Sequence, residues 1–220
     1  MRRVDSPHLA RGTSLSHRGN RRSSKANHQL DLGRHQVAHY DGQAAAGPHR
    51  LVNRGDARYS GSVDRDELVR VLRAFEATGL EYVLIGATAM GFHGLVRATE
   101  DVDLFIRATP ENVERLRQAL RSTYAGDPHI DDIRTEDLLG EYPAVRYYPP
   151  DADLFFDVMT RLGEAASFET VEAEVKEFEG IRVPVATPRA LYRLKKGTVR
   201  PLDRQDAAAL RDRFNLTDED

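Results

Sequence analysis

The sequence predicts a mixed α/β or α+β domain over residues 62–220, preceded by a basic tail. Short apolar runs of strand type alternate with segments whose apolar residues recur every three to four positions, which is typical of a sheet flanked by helices. The chain contains no cysteine, so it can form neither a disulfide framework nor a thiolate metal site. No run of about 18 apolar residues occurs, and no apolar stretch follows the basic N-terminus. We therefore expect a cytoplasmic protein that does not enter a membrane.

The first 61 residues differ in composition from the rest of the chain. Residues 1–60 carry 11 Lys and Arg against 4 Asp and Glu, whereas residues 61–220 carry 21 against 31. Large apolar residues are few before residue 61 and show no period, so this segment cannot bury enough surface to offset the entropy of ordering it. Residues 1–61 are predicted to be a disordered, basic, low-complexity tail. A solvated tail, or a start codon assigned too far upstream, is favoured over an arm that contacts nucleic acid.

The elements of the domain follow from periodicity and from capping residues. Apolar residues at helical spacing predict a first helix that begins near Ser62 or Asp64 and ends at Gly79. The remaining predicted elements are a strand at 81–86, a short helix or turn at 87–94, a strand at 101–106, a helix opening at Thr109 and Pro110, a short helix at 135–139, strands at 144–148 and 152–160, a short helix near 164–171, one or two strands within 173–186, a helix from Thr187 through Lys196, and a last helix over about 203–214. This order predicts a mixed sheet flanked by helices, with a helical segment at the C-terminus.

The stretch RATEDVDLFI, residues 97–106, places two carboxylates at the start of an apolar strand. Because side chains alternate across a strand, Asp101 and Asp103 point to one side while the apolar residues between and after them point into the core. Two adjacent carboxylates repel each other, and a divalent cation relieves that repulsion. Oxygen ligands at this spacing suit Mg²⁺ or Mn²⁺. A bare Asp-x-Asp pair, however, is more often an exposed strand face than a metal site.

Two further features favour the metal site. Asp157 lies in the middle of the apolar stretch DLFFDVM, where a buried acid needs a partner. Asp153 has the same strand parity and is the alternative third ligand, but Asp157 is preferred because it lies deeper in the apolar run. Upstream, Gly86 ends a strand and lets the backbone approach a ligand closely, and the amides of Ala87 and Thr88 could bind phosphate at the start of a helix.

Together these motifs resemble the nucleotidyltransferase superfamily with the polymerase-β-like fold. A glycine at a strand end, a short helix, Asp-x-Asp on the next strand and a third Asp later form that pattern. More narrowly, LIGATAMGFHGLVRATEDVDLFI is similar to the small bacterial AbiEii/AbiGii toxin-type group, with its Gly-x-x-Ala, His-Gly, Arg-x-Thr and Asp-x-Asp series. The ending VPVATPRALYRLKKGTVRPLDRQDAAAL resembles the same group, in which a Val-Pro-Val strand leads to a lysine-bearing helix, Arg-Pro and Asp-x-x-Asp. The resemblance covers about residues 64–216.

The resemblance implies a role for each matching residue. Asp101 and Asp103 would coordinate two Mg²⁺ ions, or Mn²⁺, that bind the triphosphate, and Asp157 would hold the catalytic metal. The positions that it assigns to nucleotide binding are Gly86, Ala87, Thr88, Arg97, Lys195 and Asp206. Ala87 departs from the wider superfamily, which often has serine or a second glycine there, so one phosphate hydrogen bond is lost while the backbone donors remain.

The implied reaction transfers a nucleoside monophosphate from an NTP to an acceptor hydroxyl and releases pyrophosphate. The resemblance suggests an RNA end, such as a tRNA acceptor stem, or a protein hydroxyl as acceptor, and a cognate antitoxin as partner. The acidic balance of residues 61–220 argues against a broad RNA-binding surface. A nucleotide- or partner-binding module without turnover, and a metal-dependent phosphohydrolase, stay open as alternatives.

Several other polar residues have a simpler explanation than a role in the site. His93 is expected to pack and hydrogen-bond locally, and Arg97 either binds phosphate or forms an ion pair with the Asp-x-Asp acids. Asp203 could be no more than a first-turn acid at a helix N-terminus. Tyr147 and Tyr148 are predicted to pack within their strand rather than to stack on a base.

Overall fold

The computed structural model describes Val37–Ala38, His49–Val52 and residues 63–220 of the chain. The described helices are α1 (Arg65–Thr78), α2 (Gly86–Phe92), α3 (Pro110–Thr123), α4 (Thr135–Leu139), α5 (Pro188–Lys196) and α6 (Pro201–Phe214), with a 3₁₀ turn at Pro128–Asp132. The described strands are β1 (Val37–Ala38), β2 (His49–Val52), β3 (Tyr82–Leu84), β4 (Asp101–Ile106), β5 (Ala144–Tyr147), β6 (Phe155–Met159), β7 (Arg161–Leu162), β8 (Ala166–Ser167), β9 (Ala173–Phe178) and β10 (Ile181–Ala186).

Eight of these strands form one mixed sheet in the order β1-β2-β5-β6-β4-β3-β10-β9. The central strands β4 and β6 are parallel, and each has an antiparallel neighbour on its other side, β3 beside β4 and β5 beside β6. The sheet, its flanking helices and the C-terminal pair α5 and α6 confirm the fold class predicted from the sequence. No helix among residues 63–220 combines the length and the apolar content that crossing a membrane requires.

One face of the sheet packs against the first and third helices. The ring of Phe156 on β6 meets Phe75 of α1 edge-on, with 6.2 Å between ring centroids, and stacks on Tyr147 of β5. Val102 and Leu104 of β4 are fully buried and point to the same face of the sheet as Phe156. Because neighbouring residues on a strand point to opposite faces, the residues between them point away from α1.

The predicted helix boundaries depend on caps that the structure shows. The Asp64 carboxylate accepts a hydrogen bond from the Glu67 amide at the start of α1, and Gly79 ends that helix in the left-handed region at φ 65°. Thr109 and Thr187 cap α3 and α5 in the same way, each followed by a proline in the first turn. These local signals are strong because a cap satisfies an amide that the helix leaves unpaired.

The helix predicted near 164–171 is wrong. The chain forms a small hairpin there, in which β7 pairs with β8. Gly163 adopts φ 51° in the turn, and the Ser167 amide donates to the Thr170 hydroxyl just after β8. Side-chain hydrogen bonds from Ser and Thr to the backbone compete with the helical pattern and favour such turns.

Two short segments within the predicted tail are strands at one edge of the sheet. Strand β2 pairs in parallel with β5, and the Arg50 guanidinium forms an ion pair with Asp137 of α4. The composition of residues 1–61 gave no indication of these strands, because a strand that joins a sheet edge takes its hydrogen bonds from the neighbouring backbone. The rest of the predicted tail lies outside the described residues, and the domain boundary at residue 61 stays a prediction.

Candidate active site

Three aspartates from two parallel strands meet on the sheet face that points away from α1. Asp103 on β4 lies opposite Asp157 on β6, and Asp101 lies opposite Phe155. One carboxylate oxygen from each of the three acids lies within 4.8 Å of the other two. Asp153, the alternative third acid, precedes β6 and donates its backbone N–H to Glu67 instead. The three acids that the structure brings together are therefore Asp101, Asp103 and Asp157, hereafter the acid triad.

Gly86 lies directly against this triad. A Cβ atom placed on Gly86 would lie 1.8 Å from Oδ2 of Asp103, and Gly86 has φ 67°, which disfavours any residue with a side chain. The Ile85 amide donates to the Asp103 carbonyl, 3.0 Å away, which holds β3 and β4 together at this point. Gly86 thus makes room for the Asp103 carboxylate.

The residues after Gly86 begin α2 and contact β4. The Thr88 hydroxyl donates to the carbonyl of Asp101 at 3.0 Å, so this side chain anchors the start of β4. The methyl group of Ala87 is buried. The Thr99 hydroxyl donates to the Asp101 carboxylate from the preceding loop. What α2 offers a ligand is therefore its backbone amides, of which the first few have no partner within a helix.

The triad concentrates negative charge in a place where Asp157 is buried and Asp101 and Asp103 are half-buried. Burial raises the pKa of Asp103 well above its usual value, and the neighbouring Asp101 and Asp157 raise it further. Lys195 and Arg146 act in the opposite direction. Oxygen-only ligands at this separation are the donors that Mg²⁺ and Mn²⁺ prefer, so the triad could hold a divalent ion.

Arg146 is part of this site, and the sequence did not reveal it. Its Nε donates to Oδ1 of Asp157 at 2.6 Å and its Nη2 donates to Oδ2 at 2.5 Å. The residue is only 8% exposed, and its guanidinium lies over the ring of Phe155. Register explains the contact, because Arg146 on β5 is the cross-strand partner of Asp157. The only sequence signal for Arg146 was that an arginine lies inside the apolar stretch AVRYY. Its position in the strand predicts which face it lies on but not which residue it contacts.

A second charged cluster joins the C-terminal helices to the loop before β4. Lys195 of α5, 7% exposed, places Nζ 2.9 Å from Oδ1 of Asp203 and 2.9 Å from Oδ2 of Asp206, both on α6. The Arg97 Nε donates to the Asp206 carboxylate at 3.2 Å. Arg97 therefore pairs with Asp206 rather than with the Asp-x-Asp acids, because α6 brings that carboxylate to the loop.

Asp203 has a larger part in this cluster than its position in a first helical turn indicates. Burial by itself would raise the pKa of Asp203, but the hydrogen bond and the charge of Lys195, together with Arg200 and Thr198, hold it below its usual value. The carboxylate thus stays charged and restrains the Lys195 ammonium from one side, while Asp206 restrains it from the other.

A family comparison decides what kind of protein carries these two clusters. Residues 70–209 match the family described as "Nucleotidyl transferase AbiEii toxin, Type IV TA system". The chain belongs to the AbiEii nucleotidyltransferase toxin family. The match spans the triad, the Gly86 turn, Arg146 and the Lys195 cluster, and it confirms both the resemblance and the enzyme class expected from the sequence.

Solved structures similar to this AbiEii-family chain include nucleotidyltransferases of remote sequence. The lincosamide antibiotic adenylyltransferase LnuA, solved with lincomycin bound, has 15% sequence identity and a TM-score of 0.48, and the match covers 68% of this chain and 98% of LnuA. An antigenic nucleotidyltransferase-like protein from Paracoccidioides brasiliensis has 16% identity and a TM-score of 0.42 over 67% of this chain and 77% of its own. A comparison with curated proteins finds no match. No substrate and no residue role follow from likenesses at this level.

The remaining candidate residues serve packing in this AbiEii-family protein. Nε2 of His93 lies 2.8 Å from the Ala186 carbonyl, and the imidazole meets the ring of Phe214 edge-on. Tyr147 points to the helix-covered face of the sheet, where its hydroxyl donates to Asp127 at 2.7 Å. His93 thus ties α2 to β10 and α6, and Tyr147 belongs to the core.

Proposed function

We propose that this AbiEii-family nucleotidyltransferase moves a nucleoside monophosphate from an NTP to an acceptor hydroxyl and releases pyrophosphate, with Mg²⁺ held by the acid triad. The single observation that carries the proposal is the meeting of Asp101, Asp103 and Asp157 carboxylate oxygens within 4.8 Å of one another. The proposal gains support from Gly86, whose missing side chain leaves space for the Asp103 carboxylate.

The donor set fits a divalent metal. All three groups offer hard oxygen ligands, and their mutual repulsion raises the pKa of Asp103, whose burial is the main cause of that rise. When bound, two Mg²⁺ ions would supply charge neutralisation at the reacting phosphoryl group and at the attacking and leaving oxygens. Mn²⁺ has the same ligand preference and is expected to substitute.

The residues of the chain have distinct tasks in this proposal. The backbone amides of Gly86, Ala87 and Thr88 at the start of α2 bind the outer phosphates of the NTP, and this follows from the donors that a helix start leaves unpaired. Lys195 donates to Asp203 and forms an ion pair with Asp206, and we assign its remaining N–H donors and its charge to the triphosphate.

Arg97 and Asp206 complete the nucleotide side of the site. Arg97 reaches Asp206 from the loop directly before β4, and Asp206 in turn forms an ion pair with Lys195. This chain of ion pairs couples the position of the Lys195 ammonium to the strand that carries Asp101 and Asp103. The proposed acceptor is an RNA end, such as a tRNA acceptor stem, or a protein hydroxyl, and a cognate antitoxin is the proposed regulatory partner.

The test is label transfer by the full-length chain. The protein is incubated with Mg²⁺, with each α-labelled NTP in turn, and with either total RNA or a protein extract. We expect label on one macromolecule class and its loss in Asp101→Asn and Asp103→Asn, with Asp153→Asn as the matched control outside the triad. Free NMP or free phosphate without labelled macromolecule would indicate a hydrolase, and NTP binding without turnover would indicate a binding module.

A further inference from the structure

Arg146 is a buried cation beside the acid triad, and the proposed function gives it no task. Its guanidinium occupies both oxygens of Asp157 at 2.6 Å and 2.5 Å. Asp157 is itself only 7% exposed, so water screens this ion pair little. The arrangement is a charge-assisted, two-point contact, which is the strong form of an Arg–carboxylate pair.

The position of Arg146 is fixed from two further sides. The backbone pairing of β5 with β6 sets Arg146 opposite Asp157, and the guanidinium lies 4.6 Å from the centroid of the Phe155 ring. Phe155 is in turn the cross-strand partner of Asp101. The arginine therefore cannot leave Asp157 without losing both a ring contact and a bidentate hydrogen bond.

Charge balance gives this contact a consequence for metal binding. Of the described residues, Lys195 and Arg146 are the cations that offset the acids around Asp103. Lys195 divides its charge between Asp203 and Asp206 on α6, whereas Arg146 donates two hydrogen bonds directly to a member of the triad. Arg146 thus neutralises Asp157 before any ion arrives.

We propose that Arg146 is the resident counter-cation of Asp157 and competes with a divalent ion for that carboxylate, so that the acid triad holds free metal weakly. This inference rests on the metal-dependent function proposed above and deepens it. It assigns Arg146 as a positioning residue that acts through Asp157.

Two opposing effects of Arg146 decide whether removal of its charge strengthens or weakens binding of the free ion. The arginine orients the Asp157 carboxylate, which favours metal binding by removing side-chain freedom in advance. It also places a positive charge on the Asp157 oxygens that would hold the ion, and the repulsion between a monovalent and a divalent cation in a poorly screened site is the larger effect. Removal of the charge is therefore expected to strengthen binding of the free ion.

The experiment measures binding of Mn²⁺ alone, without nucleotide, by electron paramagnetic resonance and calorimetry on the full-length chain. Arg146→Gln and Arg146→Met remove the charge, and Met keeps an aliphatic contact with Phe155. We expect both to bind Mn²⁺ at least about tenfold more tightly than the wild type, whereas Arg146→Lys, which keeps the charge, stays near the wild-type affinity. Arg117→Gln is the matched control, because Arg117 is half-buried and pairs with Glu114 of its own helix α3 rather than with an acid of the triad.

The effect of Mn²⁺ on thermal unfolding provides a second readout that a purely structural role would not move. Arg146→Gln is expected to melt lower than the wild type in EDTA, since it leaves Asp157 buried without its counter-cation. That deficit should shrink in Mn²⁺, because the ion replaces the missing charge. If neither neutral variant folds in EDTA, recovery of refolding on addition of Mn²⁺ is the supporting result, and failure to recover overturns the proposal.

The outcomes separate this inference from the proposed function. Equal or weaker Mn²⁺ binding by the neutral variants, or a melting deficit that is unchanged or larger in Mn²⁺, overturns the role of Arg146 even if the wild type transfers label. Tighter Mn²⁺ binding by the neutral variants supports the role of Arg146 even if the wild type transfers no label, in which case only the proposed reaction fails.

Discussion

Replacement of Gly86 by alanine tests the geometry of the site at its tightest point. The new Cβ would lie 1.8 Å from Oδ2 of Asp103, and ordinary van der Waals contact begins at 3.4 Å, so the carboxylate must move by about 1.6 Å. A misplacement of about 1 Å in a catalytic group can cost on the order of 100-fold in rate, so we expect Gly86→Ala to lower transfer by at least about 100-fold.

Backbone strain adds a separate cost to stability. Alanine in the left-handed region costs about 1–2 kcal/mol, which corresponds to a fall in Tm of about 2–8 °C for a chain of this size. The assay is label transfer under saturating NTP, together with Tm from circular dichroism. Weaker binding of Mn²⁺ by Gly86→Ala would show that displacement of the Asp103 carboxylate causes the loss of transfer.

Two other glycines provide matched controls for this substitution. Gly79 has φ 65° with nothing within 4 Å of a Cβ, so Gly79→Ala carries the backbone strain without the clash. Gly91 in α2 also has open space and no positive φ, so Gly91→Ala should be neutral or slightly stabilising. If Gly86→Ala kept transfer within a few-fold of Gly79→Ala, the tight packing of Gly86 on Asp103 would have no functional meaning.

Three further outcomes are expected. Asp157→Asn should lower transfer by at least about 100-fold while Asp153→Asn leaves it near wild type, and equal activity of the two variants would remove Asp157 from the triad. Tyr147→Phe, which loses a hydrogen bond to a carboxylate on the far face of the sheet, should lower the free energy of unfolding by about 1–2 kcal/mol in urea and leave transfer unchanged. Asp203→Asn should cost about 3 kcal/mol at neutral pH because it breaks a buried pair with Lys195. Because the folded-state pKa of Asp203 is lowered, the stability from its charge is present at neutral pH and is lost as pH falls through that pKa, so unfolding curves of wild type and Asp203→Asn should converge in acid.

Local signals predicted most of the elements of the domain. The predicted helix starts at Thr109 and Thr187 are caps in the structure, and of the two candidates for the first helix, Ser62 and Asp64, the cap is Asp64. Such starts are predictable because capping depends only on residues within one turn. The same kind of reasoning was wrong near 164–171, where turn-forming side chains outweighed helical spacing. Strand β2 could not be predicted, since its pairing depends on a neighbour almost 100 residues away.

Some residues of the candidate site were likewise predictable from local patterns, and others depend on contacts between distant segments. Strand alternation placed Asp101 and Asp103 on one face, and the position of Asp157 within an apolar run marked it as an acid in need of a partner. No local sequence pattern identified Arg146 as a site residue, apart from its presence in a strand. Its partner is determined only by the register of β5 on β6. Arg97 was expected either to bind phosphate or to pair with the Asp-x-Asp acids, and its ion pair is instead with Asp206, because the docking of α6 brings that carboxylate to the loop.

The sequence by itself determined which residues share a strand face, where most helices begin and which family the motifs resemble, since these properties depend on spacing within one segment. Tertiary structure decided that Asp103 pairs with Asp157, that Arg146 occupies both oxygens of that acid, and that Lys195 is held between two carboxylates of α6. The physical reason is that register and docking come from backbone hydrogen bonds and packing between distant segments, and a period of two or of 3.6 residues contains no information about which segment lies opposite.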